Sequence, residues 1–579
     1  MFKQEIIKVI AKQTGLRKEE IEKALEIPPN FELGDYAFPC FILSKKLKKS
    51  PNEIADELKK RLINKKMPEL EKIESKNGYL NFFIDKKKLA EQILRINANY
   101  GRQNIGRRKK IIIEFSQPNI GKPMHVGHIR STILGDSLMR IYDFLNYYPL
   151  GINYLGDVGL HIGKLITAYE IWLDKEALEK NPIQELLRLY VKFCSKEKSE
   201  ITEGVDEEFQ DNEWTAKAKE KLRLLELGDK KTHKIWNDIR KYSGKSFNKI
   251  YDILKINFTE TIGQSHFSEK GKSIVLEALK RGFAKKENDG AVYIEFEESG
   301  RNTDKKKKYI LRSNQTASYI TQDLGAAVER YKKYRFDKMI YVVDFRQSDH
   351  FYSLFKILKM LNYDFVDKCY HLKFGTVRFG DEIFATRFGK IILLEEVIKK
   401  TIEKAKQEIK KRKTKGDSEK VGVGAVKYAF LKNEPIKEVS FSWEILNFEG
   451  NTGPYLQYSY ARASSIIRKS KDEKDKKQTK KSKTIKKIEI PNQLTSHEIY
   501  LLLKIDKFPE IIEAAGKSLN PSIIANYSFE LAKSFNEFYH SCKVIGDENE
   551  VFRLKLVDSF RTTLKNSLHL LGIEVMEEM

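Results

Sequence analysis

The sequence predicts a multidomain α/β protein whose largest domain is built on a doubly wound parallel sheet. The chain has 579 residues, which at roughly 100–200 residues per domain allows about three to five domains. The strand-like run Ile111–Ile113 precedes apolar residues that recur at helical spacing over 129–145. This strand-to-helix order is typical of sheets with parallel strands. Beyond about residue 380 the pattern becomes predominantly helical.

The first 100 residues predict a small α+β domain. Ser50 is suited to cap a helix, and Pro51 is suited to its first position. Apolar residues follow at helical spacing, namely Ile54, Leu58 and Leu62. We therefore expect a separate N-terminal domain over residues 1–100.

The segment between the first core strand and its helix carries the strongest indication of chemistry. Residues 114–128 read Glu-Phe-Ser-Gln-Pro-Asn-Ile-Gly-Lys-Pro-Met-His-Val-Gly-His, which places His125 and His128 at a helix N-terminus. Unpaired backbone N–H groups and the positive dipole end favour phosphate there, and Gly127 leaves room for a flat ring such as adenine. This predicts an ATP site at the carboxyl end of a strand. The alternatives are that the histidines only begin the helix, or that they bind zinc, for which further ligands are missing nearby, so we expect no zinc.

The C-terminal part predicts a stem region over 376–440 and a helical domain over 441–579. Asn520-Pro521 is a helix start signal. The apolar stripe of a bundle helix follows it: Ile523, Tyr527, Leu531, Phe535 and Phe538. The stretch Arg468–Lys487 is rich in lysine and almost without apolar residues, which predicts a solvated loop.

Charge, hydropathy and cysteine usage indicate what kind of partner and which cellular environment suit this chain. A formal charge of +25 favours a polyanionic partner, although an excess of lysine can equally reflect genome composition. No apolar run approaches about 20 residues, so we expect no membrane span. The four cysteines are scattered without a Cys-x-x-Cys pair. This argues against a disulfide framework and favours a reducing cytoplasm.

Motifs along the chain resemble one known family. The pattern Glu-Phe-Ser-x-Pro-Asn-Ile-x-Lys-Pro-x-His-x-Gly-His-x-Arg-Ser-Thr-Ile over 114–133 is similar to the signature region of arginyl-tRNA synthetases, which are class I aminoacyl-tRNA synthetases. Later matches follow in the family's order: Asn153-Tyr-Leu-Gly-Asp157, Tyr319-Ile-Thr-Gln-Asp323, Tyr341-Val-Val-Asp-Phe-Arg-Gln347, Gly422-Val-Gly-Ala-Val-Lys-Tyr428 and Phe448-Glu-Gly-Asn-Thr-Gly-Pro-Tyr-Leu-Gln-Tyr458. The resemblance therefore runs nearly end to end.

The resemblance implies an arginine–tRNA ligase. It implies a Rossmann-like catalytic domain over 105–375 with a connective insertion at about 165–265, an N-terminal domain that reaches the outer corner of the tRNA, and a C-terminal anticodon-binding domain. The implied reaction activates L-arginine with ATP, accompanied by Mg²⁺, and transfers it to the terminal adenosine of tRNA(Arg). We expect a monomer. A catalytically impaired tRNA-binding paralogue is the alternative.

Arginine selection has a chemical requirement that several residues meet. A guanidinium is planar and permanently charged, so a selective pocket needs carboxylates and carbonyls facing it. Glu114, Asp323 and the amide of Gln347 satisfy that need. By the resemblance the arginine-binding residues also include Asn119, His128 and Tyr319. The alternatives are a surface or capping carboxylate for Asp323 and a structural amide for Gln347.

The second class I signature is degenerate in this chain. Its counterpart, Ile383-Phe-Ala-Thr-Arg-Phe-Gly389, lacks the usual lysine. Either Lys122 or Arg387 is therefore expected to supply the missing charge toward pyrophosphate. The resemblance assigns ATP binding to His125, Gly127, His128, Thr386 and Arg387.

The chain departs from the family's pattern at three other places. Gln117 stands where the family has Ser, Val158 where it commonly has Trp, and Asn314-Gln315 where it usually has Asp-Gly. Gln315 occupies a turn position that favours glycine. We expect that turn either to be strained or to change type.

Contacts with tRNA are expected from the C-terminal domain. By the resemblance Tyr455, Tyr458, Arg462 and the terminal Met579 contact the anticodon loop. Aromatic side chains beside an arginine suit splayed RNA bases. A packing role in the core is the alternative for Tyr458.

Overall fold

The fold is described from a computed structural model, which covers residues 2–26, 28, 31–63, 65, 67, 69–198, 212–297, 305–379, 382–383, 393–441, 443–447, 449–477 and 488–579. The chain forms two compact units. The smaller unit consists of Met1–Asn99, Ile466–Lys507 and Lys533–Thr562. The larger unit consists of Tyr100–Ser465, Phe508–Ala532 and Thr563–Met579. Each is considered by itself below.

The N-terminal part of the smaller unit has the predicted α+β character. Its elements are α1 Phe2–Thr14, α2 Lys18–Ala24, β1 Tyr36–Pro39, α3 Phe41–Leu47, α4 Pro51–Ile63, β2 Leu70–Lys76, β3 Tyr79–Ile84 and α5 Lys86–Ile93. The strands form an antiparallel sheet in the order β1-β3-β2. The predicted start of α4 is confirmed, because Ser50 Oγ accepts a hydrogen bond from the Glu53 N–H at 3.3 Å and the Glu53 carboxylate accepts one from the Ser50 N–H at 2.9 Å.

The larger unit begins with alternating strands and helices. In chain order they are β4 Lys110–Glu114, α6 Val126–Phe144, β5 Tyr148–Leu155, α7 Leu160–Trp172, α8 Lys175–Lys180, α9 Pro182–Lys198, α10 Glu213–Glu226, α11 Lys230–Leu254, β6 Glu260–Gly263, α12 Ser268–Lys280, β7 Ala284–Lys286, β8 Val292–Glu297, β9 Lys305–Leu311, α13 Tyr319–Tyr334, β10 Lys338–Asp344, α14 Ser348–Met360 and β11 Cys369–Phe374. Helices α7–α11 fill the interval between β5 and β6, where the connective insertion is expected.

A five-stranded parallel sheet forms the core of the larger unit. Its order is β11-β10-β4-β5-β6, and every neighbouring pair is parallel. The chain proceeds from β4 outward through β5 and β6 and then returns to the other side of β4 with β10. The winding therefore reverses beside β4, which confirms the doubly wound fold and places a ligand crevice at its carboxyl end. A separate antiparallel sheet, β7-β8-β9, precedes α13.

The remainder of the chain is mainly helical, as predicted. Its elements are β12 Val377–Phe379, β13 Glu382–Ile383, α15 Leu394–Arg412, α16 Ser418–Leu431, β14 Val439–Phe441, α17 Gly453–Lys477, α18 Ser496–Asp506, α19 Phe508–Ser518, α20 Ser522–Ser541 and α21 Glu550–Leu570. The predicted stripe of α20 is buried at Tyr527, Leu531, Phe535 and Phe538. Ile523 is only half-buried.

The lysine-rich stretch is not a loop throughout. Helix α17 continues to Lys477, so the prediction of a loop is wrong for residues 468–477, while 478–487 lie outside the described residues. Ser470 is buried, so the helix is still packed at this point of the charged stretch. Lysine itself is a good helix former, so a lysine-rich composition is compatible with a helix.

Within the part of the chain that the structure describes, no helix has the length and apolar character needed to cross a bilayer.

Candidate active site

The candidate site lies where β4, β5 and β10 end. The predicted strand and helix around residue 120 are confirmed as β4 and α6. Asn119 pairs with Gly156 just beyond β5, and Gln347 follows β10. Because parallel strands present their carboxyl ends at one edge of the sheet, the predicted phosphate segment and arginine-binding residues come from the same edge.

The N-terminus of α6 fixes the protonation pattern of both histidines. His125 Nδ1 accepts a hydrogen bond from the Gly127 N–H at 3.1 Å, and His128 Nδ1 accepts one from the His125 N–H at 3.1 Å. A ring nitrogen that accepts a hydrogen bond carries no proton, so each neutral ring carries its proton on Nε2. The ring centroids are 3.9 Å apart. The helix cap therefore equips two adjacent rings with Nε2–H donors.

Both imidazoles are held neutral. Burial lowers the pKa of His125 to about 4, helped by the charges of Lys122 and Arg346. Burial, followed by the neighbouring His125, also lowers the pKa of His128 well below its usual value. A neutral imidazole donates a hydrogen bond without acting as a permanent charge, so positive charge at this site comes from other groups.

Histidine protonation gives a first testable prediction. In the protein labelled with ¹⁵N-histidine, we expect the His125 and His128 signals to remain those of the neutral Nε2–H tautomer from pH 8 down to pH 6. In the folded protein the two rings stay neutral at pH values where the histidines of the unfolded chain, with a pKa near 6.5, become protonated. The two groups therefore lower the free energy of unfolding progressively as the pH falls from about 6.5 toward 4. Variants His125→Asn and His128→Asn assign the signals. A titration midpoint near 6.5 in the folded protein would contradict the arrangement.

Lys122 supplies a charge next to these rings. It is half-buried, and its Nζ lies 4.1 Å from the centroid of the Tyr190 ring on α9. Its charge lowers the pKa of His125, His128 and also His161. Lys122 is therefore a cation that affects both histidines, because its charge contributes to the lowered pKa of each ring.

Two glycines allow the close packing that positions α6. A Cβ on Gly135 would lie 2.1 Å from Cγ of Phe115, which follows β4, so only glycine lets α6 approach the sheet at this point. A Cβ on Gly127 would lie 2.8 Å from Cε1 of His125. The lack of a side chain at Gly127 therefore makes room for the His125 ring.

The predicted arginine ligand Glu114 is engaged within the protein. It is 3% exposed, its Oε1 accepts a hydrogen bond from Gln117 Nε2 at 2.7 Å, and its Oε2 forms an ion pair with Arg330 of α13. Gln117, one of the departures from the family's pattern, thus holds the Glu114 carboxylate, with its own backbone at φ 53°.

Asp323 has a different partner. Its Oδ2 lies 2.6 Å from His350 Nε2 on α14. One helical turn earlier on α13, Tyr319 is 43% exposed, and Gly159 leaves room for its hydroxyl, since a Cβ there would lie 2.8 Å away. Asn119 and Gln347 are exposed at the strand ends. The structure therefore brings the predicted arginine-binding residues to the same end of the strands. Glu114, however, is paired with the guanidinium of Arg330.

The Asn314-Gln315 turn keeps the conformation that favours glycine. Gln315 has φ 62°, and its Nε2 donates hydrogen bonds to the Gly290 and Ser313 carbonyls at 2.9 and 3.2 Å. The turn is thus strained rather than changed in type. Val158, the other departure, is buried.

Sequence reasoning missed several residues around the site. Arg130 is 0% exposed and donates to the carbonyls of Gly375, Thr376, Glu434 and Pro435 at 2.8–3.4 Å. This side chain fastens α6 to the segments that lead into β12 and β14. In the sequence, only its position two residues after His128 could have indicated that Arg130 belongs near the site. No sequence feature indicated Arg330 or His350, because their partners are distant in sequence.

The residues predicted to contact tRNA lie in the larger unit. The Tyr458 and Arg462 side chains are both half-buried, with Arg462 Cζ 4.9 Å from the Tyr458 ring centroid. Tyr455 packs against Phe529 at 5.6 Å between centroids. Met579 packs, partly buried, on the apolar cluster of α15 and α16.

Part of the predicted ATP site cannot be placed. Thr386 and Arg387, with most of the segment 383–389, lie outside the described residues. Among the residues that are described, no group of three or more His, Cys, Asp or Glu side chains is arranged to hold a metal ion.

Comparison with known proteins matches this architecture. Family models match for the catalytic domain of class I tRNA synthetases (R) over residues 90–443, the DALR anticodon binding domain over 456–579 and the arginyl tRNA synthetase N terminal domain over 1–84. Arginine–tRNA ligases of Clostridium beijerinckii and Clostridium botulinum (strain Alaska E43) are 38% and 39% identical, each comparison covering 100% of both chains. Thermus thermophilus arginyl-tRNA synthetase has the same fold, with a TM-score of 0.79 over 100% of both chains at 24% identity.

The parallel sheet and its histidine-capped helix thus form the catalytic domain of a class I aminoacyl-tRNA synthetase. The full-length matches narrow the class, and the chain belongs to the arginyl-tRNA synthetase family. The resemblance stated from the motifs is confirmed. The alternative of an impaired paralogue gains no support from these relatives.

Proposed function

We propose that this chain, an arginine–tRNA ligase, activates L-arginine at the N-terminus of α6 and selects it through Asp323. The observation that carries the proposal is the pair of Nε2–H donors that the helix cap creates on His125 and His128. Such donors, fixed before substrate binds, stabilise charge that develops on phosphoryl oxygens.

In the first step the arginine carboxylate attacks the α-phosphorus of ATP. A carboxylate–phosphorus bond forms, the bond to the bridging oxygen of the β-phosphate breaks, and pyrophosphate leaves. We assign His125 and His128 to the α-phosphate oxygens and Lys122 to the leaving pyrophosphate. Mg²⁺ accompanies the ATP phosphates. These residues position the reactants and stabilise charge; none forms a covalent bond.

In the second step a hydroxyl of the terminal adenosine of tRNA(Arg) attacks the carbonyl carbon of the adenylate, and AMP leaves. Tyr455, Tyr458, Arg462 and Met579 are assigned to the anticodon side of this tRNA. The stacked arrangement of Arg462 on Tyr458 supports the assignment, because it presents a cation and an aromatic face together. The chain acts as a monomer in a reducing cytoplasm in this proposal.

Arginine recognition is assigned to Asp323, Tyr319, Gln347 and Asn119. A carboxylate already oriented by His350 can accept two N–H groups of a planar guanidinium. Lysine presents a single ammonium and leaves such acceptors incompletely paired, which discriminates against it without an editing site.

The test is charging of total tRNA from the native host with arginine, lysine or glutamate. Charging with arginine alone, lost on His128→Ala, supports the proposal. Tight tRNA binding without charging would overturn it.

Lys122 gives a further prediction. We expect Lys122→Ala to slow tRNA-supported, arginine-dependent ATP–pyrophosphate exchange by about tenfold to a hundredfold, because it removes a cation next to the phosphoryl site. Lys192→Ala is the matched control, since Lys192 makes a similar contact with the Trp172 ring at 4.8 Å in the insertion. Normal exchange by Lys122→Ala would transfer the pyrophosphate role to Arg387.

A further inference from the structure

A buried guanidinium of the protein lies beside the proposed arginine pocket. Arg330 is 3% exposed and pairs with Glu114, which is equally buried. Its Cζ lies 4.6 Å from the centroid of the Tyr154 ring, so the guanidinium rests on an aromatic face. Despite its burial, the pKa of Arg330 is raised by Glu114, Tyr341, Tyr154 and Asp323. Arg330 is therefore a permanent positive charge inside the site.

The pair is incompletely satisfied as it stands. Among the residues that the structure describes, Nε and Nη2 of Arg330 and the buried hydroxyl of Tyr341 have no hydrogen-bond partner. A buried guanidinium with two unpaired N–H groups costs free energy unless water or a ligand meets them. Glu114 thus pairs with only part of the Arg330 guanidinium, and the other two nitrogen atoms still need a partner.

Three charged side chains determine the local charge at this site. Asp323 is close enough to raise the pKa of Glu114, and Arg330 is the cation paired with Glu114. Among these three side chains, two carboxylates and one guanidinium leave one negative charge. A single ligand cation neutralises that charge, while a neutral ligand leaves Asp323 with only the contact to His350.

We propose that Arg330 determines specificity by occupying Glu114, so that Asp323 is the one carboxylate left for the ligand's guanidinium. Arg330 is a positioning residue, because it acts through Glu114. The inference rests on the proposed arginine site. It also assigns Glu114 a role different from that of a direct ligand: Glu114 neutralises a protein cation that would otherwise repel the substrate.

The two roles of Glu114 make opposite predictions for a double variant. If Glu114 neutralises Arg330, Glu114→Gln exposes the ligand to an uncompensated cation, and adding Arg330→Gln removes that cation. If Glu114 is instead a direct ligand, the second substitution cannot restore binding. Citrulline, the neutral urea counterpart of arginine, isolates the charge effect.

The experiment is calorimetric titration of the full-length wild type, E114Q, R330Q and E114Q/R330Q with L-arginine and with L-citrulline. We expect E114Q to weaken arginine binding by about tenfold or more and citrulline binding by less than about threefold. We expect E114Q/R330Q to recover most of the arginine affinity. Equal loss for both ligands, or a double variant no better than E114Q, would overturn the inference.

Two controls separate the possible failures. Arg553→Gln removes another buried arginine that pairs with a glutamate, Glu498, at 2.7 Å in the smaller unit; it should lower the melting temperature and leave arginine affinity unchanged. A wild type that binds citrulline as well as arginine, or neither, would overturn the arginine site itself. Arginine-selective binding by the wild type without rescue in the double variant overturns only the role of Arg330.

Discussion

Replacing His128 by asparagine is expected to slow tRNA-supported ATP–pyrophosphate exchange by about 10²–10³-fold, the usual cost of losing one preorganised donor to a developing oxyanion. Asparagine Oδ1 can take the place of His128 Nδ1 as acceptor for the His125 N–H, which the structure places at 3.1 Å. The variant therefore keeps the helix cap and loses the Nε2–H donor. The effect should appear in kcat, since the donor acts on charge that forms during the reaction.

His128→Ala is the matched variant. Alanine removes both the acceptor for the His125 N–H and the Nε2–H donor. We expect it to lose about as much exchange activity as His128→Asn and to melt at a lower temperature, since a lost cap costs about 1 kcal/mol. A much larger loss of activity in His128→Ala than in His128→Asn would show that the cap, not the donor, is the main contribution of His128.

Asp323→Asn is expected to reduce kcat/KM for arginine by about 10²-fold or more, because removal of one partner from a buried charge pair costs about 3–5 kcal/mol. The substitution preserves shape and removes the carboxylate that we assign to the substrate guanidinium. The loss should appear mainly in KM, since the guanidinium is bound equally in the ground and transition states. Exchange kinetics over a range of arginine concentrations measure it.

Glu329→Gln serves as the control for this substitution. Glu329 lies on the same helix, and its side chain is 39% exposed, 3.5 Å from His266. We expect its KM for arginine to match that of the wild type within about twofold, because an exposed ion pair contributes little. An unchanged KM in Asp323→Asn would mean that Asp323 only contacts His350 and does not bind the substrate.

Local patterns in the sequence predicted much of the fold because they act over short distances. The start of α4 at Pro51 depends on neighbours within one turn, and so does the start of α6. The prediction for the lysine-rich stretch failed because it also used only local information. Low hydrophobicity predicted a loop over 468–477, whereas Ser470 is buried and α17 continues to Lys477. Burial at Ser470, which composition does not reveal, decided that case.

The sequence by itself determined the class of fold, the start of α6 at the two histidines and, through its motifs, the family. These follow from apolar periodicity, helix capping and residue order along one stretch of chain. Only the tertiary structure decided how the charged groups pair. Glu114 and Arg330 are 216 positions apart, and Asp323 meets His350 across two helices. Electrostatic pairing depends on distance in space and on burial, neither of which a linear pattern contains, so the engagement of Glu114 by a protein guanidinium emerged only from the folded chain.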